Sequence, residues 1–135
     1  MWIESYDFAD ANRMKHYAKK HRREYVSCLA NLADVLAALN SGAAVTAIPF
    51  GFFRSEREEV YRIGQTNVKH PHETRLYVYA CVIRTTLYVL TVGDKSTQQI
   101  DINACHAKAR ELKQQLEDAT QTNDEDQTNK ENENG

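Results

Sequence analysis

The sequence predicts an α+β domain: an N-terminal helical hairpin packed on a small antiparallel sheet, closed by a C-terminal helix. Three observations predict it. Helical spacing fills the first third of the chain, period-two alternation fills the middle, and helical spacing returns after Asp101. Helices grouped ahead of strands favour helices gathered on one face of an antiparallel sheet.

Taken in order, Trp2–Phe8 reads as a short first strand, with Asp7 or Asp10 placed to cap the helical stretch beyond it. Tyr25, Cys28, Leu29, Leu32, Leu36 and Leu39 recur at steps of three and four, which sets them on one helix face. The part before them is dense in charge, from Arg13 to Arg23. Two helices in a hairpin and one long bent helix both fit this stretch. Gly42 suits a helix stop.

Residues 41–58 mix apolar residues with the breakers Pro49 and Gly51, as a buried loop or short strand would. Residues 59–65 read as a strand and 67–73 as a loop. The run TRLYVYACVIR from Thr74 alternates, and TLYVLTVG comes after a very short break, which is a hairpin signal. Ile102, Cys105, Ala109, Leu112 and Leu116 then mark an amphipathic helix, with Asp101 at its start to cap free N–H groups.

The 135 residues are expected to form one domain over 1–116 and a disordered acidic tail over 117–135. The tail holds seven acids and one base. The formal charge of −2 therefore divides into −6 on the tail and +4 on the other 116 residues. No apolar run approaches the ~18 residues that a membrane span needs, and the first ten residues lack the pattern of a signal peptide. A cytoplasmic location without membrane contact is the expectation. Cys28, Cys81 and Cys105 share no metal-ligand spacing and read as buried free thiols; no metal or cofactor is expected.

Arg75-Leu76-Tyr77-Val78-Tyr79, a hydrophobic strand, then Gly93-Asp94-Lys95-Ser96-Thr97-Gln98 and Asp101-Ile102 resemble the C-terminal half of the RelE/ParE toxin superfamily. The HigB-like, or addiction module killer, branch is the nearest in pattern. The resemblance covers roughly residues 58–112. Where that family has Gly-Pro-Gly-Tyr ahead of the arginine, this chain has Lys69–Thr74. The resemblance implies the toxin of a type II toxin–antitoxin pair, a metal-independent mRNA endonuclease (mRNA interferase) acting on the ribosome. A cognate antitoxin and mRNA would be its partners. ParE-like relatives imply an alternative, a gyrase poison, and a non-catalytic phage-derived binding module is a third reading.

RNA cleavage by its own 2′-hydroxyl needs a proton acceptor, charge stabilisation at phosphorus and a proton for the leaving oxygen. The resemblance places Arg75, Lys95 and Arg62 in the catalytic set. The Arg75 fork suits a phosphate, or else an ion pair with Glu59 or Glu73. Lys95 in the Gly-Asp-Lys turn holds a phosphate or is a plain turn lysine. Arg62 points at RNA or makes a cross-strand pair. Tyr77 and Tyr79 share a strand face with Arg75 and would stack on bases or pack in the core. Gln98 matches the family glutamine in the substrate-binding set. His70 and His72 flank Pro71 in the loop, and a histidine is a natural general acid near neutral pH.

Overall fold

The computed structural model describes the backbone of residues 1–133 and the side chains of residues 1–119. The expectation for the acidic segment, 117–135, falls largely on residues whose side chains lie outside that description. Five strands form one sheet: β1 (Ile3–Tyr6), β2 (Phe53–Ser55), β3 (Val60–Gly64), β4 (Thr74–Cys81) and β5 (Thr86–Asp94). Their order across the sheet is β1-β5-β4-β3-β2. Three helices accompany them: α1 (Ala11–Lys20), α2 (Arg22–Asn40) and α3 (Gln98–Glu133).

This arrangement corrects the expected α+β fold of a helical hairpin on an antiparallel sheet. The sheet is mixed, because β1 runs parallel to β5, with Ile3 beside Thr86 and Tyr6 beside Val89. Helices also lie on both faces, so the strands sit between them in a mixed α/β fold. One core joins Met14 of α1 and Cys28, Leu32, Val35 and Leu39 of α2 to Leu76, Val78, Leu87 and Val89. The other joins Ile102, Cys105 and Ala109 of α3 to Val60, Tyr77, Tyr79 and Leu90 on the opposite face.

The composition of β4 and β5 explains why. From Leu76 to Tyr79 no residue is more than 2% exposed, in either parity. A half-open strand alternates apolar with polar; a strand covered on both faces is apolar throughout. Tyrosines at 77 and 79 imitate an open face in sequence while filling a closed one. A bulge between Tyr77 and Val78 shifts the register, so that Tyr77 faces Thr91 and Val78 faces Val89. It lets Leu90 join Thr91 on the α3 side.

Local signals behave as their chemistry requires. Asp10 caps α1, its side chain accepting from the Arg13 amide at 3.0 Å. Only His21 separates α1 from α2, so the charged segment is a bent pair of helices and no loop is needed. Gly42, at φ +103°, takes the left-handed turn that ends α2. The β4–β5 hairpin closes through Thr85, whose amide donates to the Val82 carbonyl at 3.1 Å. Among the described residues no helix is long and apolar enough to cross a membrane.

Candidate anion-binding cleft

The α3 face of the sheet carries a row of basic side chains. Arg54 of β2 stands opposite Arg62 of β3, and Arg62 stands opposite Tyr77 of β4. One step along, Gly64 is opposite Arg75, which is opposite Gly93. Gly64 has open space where a side chain would stand, which leaves Arg75 room on that side. Arg54, Arg62 and Arg75 line a single open cleft of about 300 Å³, with Phe52, Gln65 and Glu73 also on its wall.

Each arginine is held. The Arg54 Nε donates to the Gly51 carbonyl at 3.3 Å. The Arg62 Nε meets the Glu56 carboxylate at 3.2 Å. Arg75, only 12% exposed at its side chain, donates to the Gln98 side-chain carbonyl from one arm and lies 3.4 Å from Glu73 with the other. The three guanidinium groups bring planar forks of N–H donors to one place. Such a set can grip phosphate oxygens with little further ordering.

Of the residues expected to act, Arg62 and Arg75 come together here. Both also make the ion pairs that were the alternative readings, Arg75 with Glu73 and Arg62 with Glu56 in place of a cross-strand partner. Gln98 is the residue that aims Arg75. Lys95 stands apart: it is exposed in a 3₁₀ turn over Lys95–Thr97, does not line the cleft and forms no ion pair among the described residues. Tyr77 and Tyr79 are buried beneath α3, at 0% and 2% exposure, so neither ring is free to stack on a base. Of the two readings open for them, packing in the core is the one this burial fits. Arg54 was missed, because a three-residue strand offers no periodicity to read and it lies within the irregular stretch 41–58.

The turn after β5 is built around two aspartates. One oxygen of Asp94 accepts from the Ser96 and Thr97 amides at 2.9 and 3.2 Å, and the other meets the His72 ring at 2.9 Å. The Ser96 hydrogen bond, with that of His72 behind it, outweighs burial and pulls the Asp94 carboxyl down to about 2. His72 in turn stacks on His21, with ring centroids 4.0 Å apart. Burial first, and His72 second, lower the pKa of His21. Asp101, fully buried, accepts from Arg13 of α1 and from the Thr97 hydroxyl, each at 2.7 Å.

Cys28, Cys81 and Cys105 are buried and free, as expected. Among the described residues no group of three or more His, Cys, Asp or Glu side chains could hold a metal ion. No family model, curated protein or solved structure matches the chain.

Proposed function

We propose that the cleft grips the phosphodiester backbone of single-stranded RNA, and that the chain is a type II toxin that cleaves mRNA on the ribosome. The observation that carries the reading is the convergence of Arg54, Arg62 and Arg75, each held by a neighbour, in one open cleft. The resemblance of residues 58–112 to HigB-like toxins supports the biological half of the reading. An antitoxin that covered the three arginines would silence the protein.

In this reading the RNA 2′-oxygen forms a bond to phosphorus while its proton passes to Glu73, the carboxylate on the cleft wall. Arg62 and Arg75 hold the charge that builds on the phosphorane oxygens. The bond to the 5′-oxygen breaks, and that oxygen takes a proton from water at the open mouth. The products are a 2′,3′-cyclic phosphate and a free 5′-hydroxyl.

Induction of the wild type and of an Arg62→Ala/Arg75→Ala variant in a bacterial host tests this, with new mRNA 5′ ends mapped. Growth arrest with cuts inside translated messages, lost in the variant, is the expected result. Arrest without cuts would reject the nuclease reading.

Two observations favour a second reading, RNA binding without cleavage. Lys95 lies outside the cleft, and both tyrosines are buried, so few groups remain there to move protons. RNA bound by the cleft with neither arrest nor cuts would select it.

A further inference from the structure

Tyr77 carries the one buried side-chain oxygen or nitrogen that has no hydrogen-bond partner among the described residues. Its hydroxyl is an expensive group to fold away unsatisfied. Phenylalanine would fill the same space beneath α3 without that cost. The position of the hydroxyl suggests what it is kept for. Tyr77 is the cross-strand neighbour of Arg62 and lies two residues from Arg75 on the same strand face, so it adjoins two of the cleft arginines without itself lining the cleft. Arg75 acts on the hydroxyl through its charge and a weak contact that lacks full hydrogen-bond geometry, and leaves the phenol proton without an acceptor; Asp101 and Glu56 are the acidic groups that act on it. Burial, with Asp101 next, pushes the phenol up to about 12, so it remains a donor throughout the neutral range.

Glu56 is the group a ligand would have to move. Its carboxylate sits on the Arg62 guanidinium at 3.2 Å, where a phosphate would bind. Its backbone is anchored separately: the amide donates to Val60 at 2.8 Å, and the carbonyl meets the His106 ring of α3 at 2.8 Å. The side chain can therefore swing away without disturbing the loop. A phosphate repels the carboxylate and offers Arg62 a two-pronged partner in exchange.

Building on the reading of the cleft as a phosphodiester site, we propose that Tyr77 is a ligand donor held in reserve. Its hydroxyl donates to a phosphoryl oxygen once that phosphate has displaced Glu56 from Arg62. The substrate contact assigned to this residue is thus a hydrogen bond from beneath, and stability of the empty protein is given up for it.

The test uses the full-length chain and a short 2′-O-methyl RNA, which lacks the attacking hydroxyl and cannot be cut. Fluorescence anisotropy reads its affinity, and thermal unfolding without RNA reads stability. Tyr77→Phe is expected to bind about tenfold more weakly while its Tm stays level or rises. Glu56→Gln is expected to bind several-fold more tightly, and to gain less in the Tyr77→Phe background. Wild-type affinity in Tyr77→Phe would overturn the proposal alone. So would a loss of affinity that comes with a lowered Tm, since Tyr77 would then be a packing residue. No binding by the wild type would overturn the reading of the cleft and this proposal together.

Discussion

Gly93 lacks a side chain because Asp101 occupies the place where one would stand. A Cβ built on Gly93 would collide with Oδ2 of Asp101 and come within 2.7 Å of the Thr97 hydroxyl. Asp101 cannot retreat, because Arg13 and Thr97 hold its two oxygens. This contact joins α1 on one face of the sheet to α3 on the other, around the end of β5.

Gly93→Ala should therefore destabilise the fold by about 3 kcal/mol, the upper range for forcing a methyl group into a packed site. Urea unfolding measures it. A loss below about 0.5 kcal/mol would mean that α3 shifts freely and that the contact constrains little.

Removing either cleft arginine should weaken RNA binding and reduce its dependence on salt. Arg62→Ala and Arg75→Ala should each lower affinity about tenfold, with the slope of log K against log salt falling by about one. Equal slopes in the variants and the wild type would show that these side chains do not touch phosphate.

The Asp94 carboxyl, held down to about 2, should confer stability that depends on acid pH. Its folded pKa lies below the unfolded value of about 3.9, so the contribution is complete above the latter and is lost as pH falls through the former. The Tm gap between wild type and Asp94→Asn should be full near pH 5 and shrink between about pH 4 and pH 2. A gap constant across that window would rule out the charged form as the source.

The three thiols should resist modification while the protein is folded. All are buried, and burial pushes Cys28 and Cys105 up to about 12, far from the reactive thiolate. A disulfide reagent should titrate three thiols per chain in denaturant and react with them only slowly in buffer. Rapid reaction in buffer would reveal an opening of the α2 or α3 packing.

Local features were legible wherever one residue decides them. Asp10 caps α1 and Gly42 ends α2 through chemistry confined to a few neighbours, while the hairpin was legible but its turn, residues 82–85, begins three residues before the break read after Arg84. The face on which α3 packs was not legible. Tyr77 and Tyr79 look like half-exposed strand residues, and nothing within the strand distinguishes a tyrosine lying under a helix from one facing water. The parallel pairing of β1 was hidden for a different reason: it joins Ile3 to Thr86, and no local pattern connects them. At the cleft, Arg62 and Arg75 could be suspected from a motif. Arg54 could be found only by laying β2 against β3.

That parallel pairing also sets a timetable. β5 lies between β1 and β4, so the first strand has no neighbour until residue 86 and those after it have been made. On the ribosome α1 and α2 emerge well before the strands they cover, and their core partners Leu87, Val89 and Val92 of β5 come last. Closing a gap of about eighty residues costs entropy before any contact returns it, and such topologies assemble slowly. A nascent chain halted short of β5 would hold the β2–β3–β4 meander, with part of the α2 face covered by Ile63, Leu76 and Val78, but β1 would have no partner. The finished protein would come together only when its last third arrived.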